Sequence, residues 1–292
     1  MTPTTVTVMW SVFGDESADE TGQRVFAVAA VIGSEEVWES VERQWTALTG
    51  DRVFHAARWE SEFADDPDRT KHPTNLEIYR KLVELLTASA LTSYGIALDL
   101  VKFREVFDDV TPEACYLHCF SHVVGAISRN APLQVKQGLI KVTFDRNSDT
   151  EYNTGQLYHL FAKYPEWQEE SPFLDEISFA SRKNPRVQVA DLIAREAMKL
   201  LDRSLANKPP RRSLVALAKT QQFIFEARTG DYFKGWKAAL PLLEQREGMS
   251  RTEYVQWLET HRLIDSWSTK MRYLAWVTAR NPPTLKTSNG GR

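Results

Sequence analysis

Positions 6–13 alternate: Val6, Val8, Trp10 and Val12 fall on one side of an extended chain, Thr7, Met9, Ser11 and Phe13 on the other. A period of two in β-branched and aromatic residues predicts a strand ending at Gly14. After a polar turn around residues 19–22, residues 25–32 are almost continuously apolar and stop at Gly33, which predicts a buried second strand. The period then changes. Val37, Trp38, Val41, Trp45 and Leu48 recur at helical spacing behind Ser34, so residues 35–48 should form an amphipathic helix with Ser34 as its N-cap. Phe54-His55-Ala56 has no readable period, and residues 62–73 are polar with two prolines and read as a loop. A helix follows over 76–88 and a strand over 92–101. Residues 112–129 should form a helix, with Thr111 as N-cap and a proline at the first position. Beyond it come a strand over 139–144, a helix over 152–161, a short strand over 176–180 and a strongly periodic helix over 187–205.

Early strands joined by short connections, then strands alternating with helices, define an α/β domain with a mixed sheet and helices packed on it. After residue 205 the pattern changes. Asn207-Lys208-Pro209-Pro210-Arg211-Arg212 reads as an exposed loop or linker. The remainder reads as all helical: 213–227, 235–245, and a long stretch over 252–280 in which Tyr254, Trp257, Leu258, Ile264, Trp267, Met271, Leu274 and Val277 recur at three- and four-residue steps. Such a stripe belongs to a core, or else to a dimer or protein-partner surface. The expected division is a domain over 1–206, a helical extension over 207–280 and a disordered tail over 281–292.

Composition changes this picture little. At 42% hydrophobic and 26% charged, the chain is ordinary for a globular protein. It has no apolar run of the ~20 residues a membrane span needs, and no basic-then-apolar start of the signal-peptide kind. Two cysteines, Cys115 and Cys119, cannot build a disulfide framework, so a cytoplasmic, reducing setting is expected. Charge matters more. Residues 181–292 hold 21 Lys and Arg against 10 Asp and Glu, whereas residues 1–180 hold 15 against 29. Carboxylates in one part could hold metal while cations in the other hold phosphates; the alternative is an imbalance that evens out in three dimensions.

Three carboxylates stand at special places. Asp15 follows the first strand in Phe13-Gly14-Asp15-Glu16-Ser17. Asp145 follows the strand over 139–144. Asp191 lies about one turn into a helix, among Val187, Ala190, Leu192, Ala194 and Ala197. Ligands in open α/β sheets bind beyond the carboxyl ends of strands, and a helix-borne Asp191 can close such a set from the side. A carboxylate on an apolar face is costly unless its charge is compensated, and a divalent cation would keep it ionised. Mg²⁺ or Mn²⁺ bound by a few carboxylates is the apparatus of phosphodiester hydrolysis. Turn formation, helix capping or pairing of Asp191 with Arg195 or Lys183 is the simpler account of each residue alone.

Together these segments resemble a bacterial family, the one catalogued as domain of unknown function 3800. The resemblance is carried by Phe13-Gly14-Asp15-Glu16-Ser17, the run 25–32, Phe54-His55-Ala56, Phe144-Asp145, and Ser181 with Gln188-Val189-Ala190-Asp191-Leu192. It covers roughly residues 6–205, and Ala18 stands where the family usually has Gly. The resemblance implies an RNase H-like fold with a mixed five-stranded sheet, metal-dependent nuclease activity on RNA or DNA, and a role as toxin or anti-phage effector. Asp15, Asp145 and Asp191 would be the metal ligands, with His55 and Glu16 as auxiliaries and Gln188, Lys183 and Arg186 as substrate contacts. A fourth ligand would be Glu16 or Glu113. Ser181 and Asn184 could touch substrate or cap the helix. A non-catalytic nucleic-acid- or protein-binding module on the same fold is the alternative. Cys115, His118, Cys119 and His122 share one helix face, but four ligands from one helix cannot surround an ion, so they read as a packed flank.

Overall fold

A computed structural model describes residues 9–65, 75–107, 111–130, 140–146, 151–162, 173–244 and Glu253. Six strands form one sheet: β1 (Trp10–Ala18), β2 (Val25–Ser34), β3 (Thr92–Asp99), β4 (Ile140–Asp145), β5 (Phe173–Ala180) and β6 (Phe223–Arg228), in the order β5-β4-β1-β2-β3-β6. β1, β2 and β3 form an antiparallel meander. β4 joins β1 in parallel, β5 joins β4 in parallel, and β6 joins β3 in parallel. The domain is thus α/β with an RNase H-like mixed sheet, larger by one strand than expected.

Helices cover both faces. α1 (Glu35–Thr49), α2 (Ala56–Asp65), α3 (Asn75–Ala88), α7 (Pro185–Leu205) and α8 (Arg212–Lys219) lie on one side, around Trp38, Trp45, Phe54 and Leu82. α4 (Leu100–Val106), α5 (Pro112–Asn130), α6 (Glu151–Ala162) and α9 (Gly230–Glu244) lie on the other, around Phe103, Phe120, Phe144 and Phe233. Strand alternation sorts the side chains between the two cores. Val12, Val142 and Phe144 belong to the α5 side, and Phe13 to the α7 side.

Local chemistry explains the boundaries. Ser34 accepts a hydrogen bond from the Val37 amide at the start of α1, Thr111 from Ala114 at α5, and Asn184 from Arg186 at α7. Asn184 is therefore a helix cap. Asp99 caps α4 through the Lys102 amide, which cuts β3 short of residue 101. The β1–β2 turn is held by Asp19, whose carboxylate accepts from the Thr21, Arg24 and Val25 amides.

Three expectations are corrected. The untyped segment at Phe54 opens into helix α2, which takes in residues 62–65 of the expected loop. Asp15 lies inside β1, paired with Ala29, because β1 continues past Gly14 to Ala18. The span 213–227 is not one helix: after α8, Gln221 takes a left-handed conformation (φ 59) and the chain turns into β6, with Phe223 buried and its neighbour Ile224 exposed. This part of the extension therefore completes the sheet. Apart from Glu253, the expected helix over 252–280, the dimer surface expected of it and the tail over 281–292 lie outside the described residues. Among the described residues no helix is long and apolar enough to cross a membrane.

Candidate metal centre

The parallel β1–β4 ladder runs from Trp10↔Ile140 to Gly14↔Phe144. Asp15 and Asp145 are the next residue on each strand, so their backbones lie about one strand spacing apart, roughly 5 Å. Gly14 and Phe144 face the α5 side, so alternation turns Asp15 and Asp145 together toward α7. There α7 crosses β1, and Asp191 is buried on it. All three are nearly sealed from solvent, Asp15 at 4%, Asp145 at 3% and Asp191 at 7% exposure. Three carboxylates from three elements thus lie on the α7 side of the sheet near the end of the β1–β4 ladder, close enough to act on one another's charge.

Their electrostatics are unfavourable. Burial pushes the Asp15 carboxyl well above its usual range, and the charges of Asp191, Glu16 and Asp145 push it further. Asp145 is raised too, again by burial first; Arg182 pulls it back and Asp191 adds to the rise. Each acid has a partner. Asp15 Oδ1 accepts from the Glu16 amide at 2.7 Å. Asp145 Oδ2 accepts from Arg182 at 3.2 Å, while its Oδ1 is buried without a hydrogen bond. Asp191 Oδ2 accepts from the Ala56 amide at 2.9 Å and lies 3.2 Å from His55 Nδ1. Pairing of Asp191 with Arg195 or Lys183 is therefore replaced by the start of α2. Arg195 bonds Glu60 and the Ala18 carbonyl instead. Among the described residues no three His, Cys, Asp or Glu side chains stand in ready ligating geometry.

An open cleft of about 830 Å³ meets this cluster, lined by Glu16, His55, Arg58, Arg182, Asp191 and Arg195 among others. Strand alternation puts Glu16 on the face opposite Asp15, and its charge also acts on Tyr116 of α5. Glu113 accepts a hydrogen bond from Asn153.

Two expected substrate contacts have other employment. Gln188 is buried: its Oε1 accepts from Trp45 Nε1 and the Phe54 amide, and its Nε2 donates to the Arg182 and Lys183 carbonyls. It clamps the turn before α7 to α1 and to the chain at Phe54. Arg186 pairs with Glu35 at 2.7 Å and Glu42 at 3.0 Å, with its guanidinium over the Phe13 and Trp38 rings. Its role is to fasten α1 to α7. Lys183 is exposed on the turn, and Ser181 caps that turn through the Lys183 amide. Cys115, His118, Cys119 and His122 are buried flank residues; His122 bonds Tyr232 at 2.7 Å, and burial pushes the Cys115 thiol up to about 12.

Arg182 is the residue the sequence pattern does not single out. The register signals it: Asp145 pairs with Ala180 across β4 and β5, and Arg182 lies two residues beyond. Its side chain is 54% exposed while the Asp145 side chain it meets is at 2%, so the cation reaches the cluster from the solvent side.

No family model matches the chain, and no curated protein matches it. Solved structures similar to it include RNase HII of Archaeoglobus fulgidus, from its complex with PCNA. That match has 13% identity and a TM-score of 0.39, covering 72% of this chain and 86% of the other. Bst-RNase HIII in complex with Mn²⁺ matches at 13% identity and a TM-score of 0.36, covering 79% of this chain and 66% of the other.

Proposed function

We propose that this chain is a divalent-metal-dependent nuclease acting on RNA or DNA, of the family its motifs resemble. The observation that carries the reading is the gathering of Asp15, Asp145 and Asp191 at the end of the β1–β4 ladder, buried and mutually repelling. Such a set opposes folding unless something cationic compensates it. Arg182 compensates it in part. The donor set is all oxygen, which suits Mg²⁺ or Mn²⁺, and the buried Asp145 Oδ1 is an acceptor still without a partner.

Asp15, Asp145 and Asp191 would hold the ion, Asp145 giving up Arg182 to do so. A bound Mg²⁺ or Mn²⁺ supplies an activated water and stabilises the leaving oxygen of a phosphodiester. His55 is placed to move a proton. Where Nδ1 donates to Asp191, Nε2 is left as the proton acceptor of a ring that lines the cleft. Arg182, released from Asp145, can pair with a phosphate oxygen of the substrate. Glu16 at the cleft wall is the auxiliary carboxylate.

The test is cleavage of labelled RNA, DNA and hybrid substrates with Mg²⁺ or Mn²⁺, with and without chelator, by the wild type, Asp145→Asn and Asp191→Asn. Expected is metal-dependent cleavage of at least one substrate, lost in both variants. Wild type inert on every substrate, or an Asp145→Asn enzyme of full activity, overturns it. One observation favours a second reading, a non-catalytic nucleic-acid-binding module: each carboxylate is already tied to a protein partner. Salt-dependent binding without turnover, unchanged by Asp191→Asn, would establish that instead.

A further inference from the structure

Beyond the wall of the cleft lies a second cavity of about 450 Å³, and Glu60 and Lys199 line both. We propose that this second cavity is a phosphate subsite for the nucleic-acid strand engaged at the carboxylate cluster, a proposal that rests on the nucleic-acid reading above. Five basic side chains line it, Arg24, Lys199, Arg203, Lys208 and Arg211, against the carboxylates of Glu60 and Asp202. Both carboxylates are already shared. Glu60 lies between Arg195 and Arg211, and Asp202 between Arg24 and Lys199. Among the described residues no carboxylate pairs with Arg203 or Lys208, and the Arg203 guanidinium meets only the Pro209 carbonyl. Among the described residues the wall thus carries cationic charge that no carboxylate neutralises.

A helix C-terminus attracts cations, which would account for Arg203 at the end of α7. It does not account for convergence from three elements. Arg24 comes from the β1–β2 turn, Lys199 and Arg203 from α7, and Arg211 from the start of α8. Lys208 is set by a built turn, with Asn207 left-handed (φ 52) and the Lys208 amide donating to the Arg203 carbonyl at 2.8 Å. The crowding is costly to the cations themselves. Burial lowers Lys199, with Arg195 adding to the effect, and burial lowers Arg211 to about 10. A polyanion relieves that cost as a divalent ion relieves the carboxylates.

Geometry gives the direction. Lys199 and Arg203 lie eight and twelve residues after Asp191 on the same helix. At 1.5 Å per residue they stand roughly 12 and 18 Å along α7 from the cluster. A strand with its scissile phosphate at the carboxylates would therefore pass over Lys199 and place a phosphate a few nucleotides away in the second cavity.

The test is binding of fluorescent single-stranded RNA and DNA 12-mers to the full chain, in EDTA so that nothing is cut, across a series of salt concentrations. The variant is Arg203→Glu/Lys208→Glu, and the control of equal charge change is Lys219→Glu/Lys234→Glu, on helices α8 and α9 away from both cavities. Expected is at least a tenfold loss of affinity in the variant, a salt slope shallower by about 1.4 for two phosphate contacts, and a near-wild-type control. Wild-type affinity in the variant, an equal loss in the control, no wild-type binding of either strand, or equally tight binding of a poly-glutamate peptide overturns the subsite. Failure of the nuclease reading is separately visible: a wild type that cuts nothing but binds through Arg203 and Lys208 keeps the subsite and loses the catalysis.

Discussion

Gly14 is the position where a single methyl group should matter most. It pairs with Phe144 on β4 and with Ala30 on β2, one residue before Asp15 and Asp145 on their strands. A Cβ at Gly14 would lie 2.3 Å from Phe144 Cε1, 2.4 Å from Cζ and 2.7 Å from Cδ1. Carbon atoms in contact prefer about 3.5–4.0 Å, so the overlap exceeds 1 Å. The ring has nowhere easy to go, since Phe144 is fully buried and packs edge-on against Phe120 at 5.0 Å. In an open strand, glycine to alanine would be favourable by roughly 0.5–1 kcal/mol. Here the sign should reverse, with Gly14→Ala destabilising by about 1–3 kcal/mol, the range for overfilled cores. Phe144→Leu removes the ring edge, so the double variant Gly14→Ala/Phe144→Leu should be more stable than the sum of the single losses by at least ~1 kcal/mol. Urea unfolding followed by tryptophan fluorescence reads all four proteins, since Trp38 and Trp45 are fully buried. A Gly14→Ala protein as stable as wild type, or strict additivity in the cycle, refutes the reasoning.

Asp15→Asn should raise the melting temperature of the metal-free protein at pH 7.5, equivalent to about 1 kcal/mol or more, because it removes one of the mutually repelling charges and keeps the oxygen that accepts from Glu16. The same variant should lose any Mn²⁺-induced rise in melting temperature; unchanged or lower metal-free stability would contradict the electrostatic argument. Glu196 on α7 gives a pH signature. It is fully buried, and burial raises its pKa from 4.5 to about 7 while Tyr79 and Ser213 donate to it. A raised folded-state pKa contributes stability that is present below 4.5 and lost as pH climbs through 7, on the order of 3 kcal/mol across that window. Glu196→Gln should flatten the fall in unfolding free energy between pH 4.5 and 7; a parallel profile for the two proteins would refute the assignment.

The pattern in the sequence was strongest where local and tertiary signals agree. β2 is an apolar run with a cap immediately behind it, and the structure gives Val25–Ser34 followed by α1 from Glu35. It was weakest where short elements carry few apolar residues. In β6 only Phe223 and Phe225 face inward, and the preceding Leu214 and Leu217 sit at helical spacing, so one helix reads through a turn that only Gln221 breaks. The candidate carboxylates were legible because strand ends and apolar helix faces are visible in one dimension. Their partners were not. Which of Arg182, Lys183 and Arg186 meets Asp145 depends on the β4–β5 register, which shifts between Ile140 and Val142. The contact of His55 with Asp191 joins positions 136 residues apart.

α7 carries two buried acids, and the contrast between them separates a structural carboxylate from a candidate site. Glu196 has the Tyr79 and Ser213 hydroxyls at 2.7 and 2.8 Å and Arg211 at 3.4 Å, all on its Oε1, while its Oε2 is buried without a hydrogen bond; its raised pKa lets a proton meet the remaining charge. Asp191 shares its surroundings with Asp15 and Asp145, and the cation nearest that group, Arg182, arrives on a half-exposed side chain from the cleft. Three carboxylates set against one solvent-side guanidinium leave negative charge at the end of the β1–β4 ladder, facing a cleft whose far wall leads to cations that no described carboxylate pairs. A buried acid that the interior neutralises serves the fold. A buried acidic set whose described cation comes from the cleft side is arranged for something that arrives through the cleft, and a cation followed by a phosphate chain matches both signs of that charge.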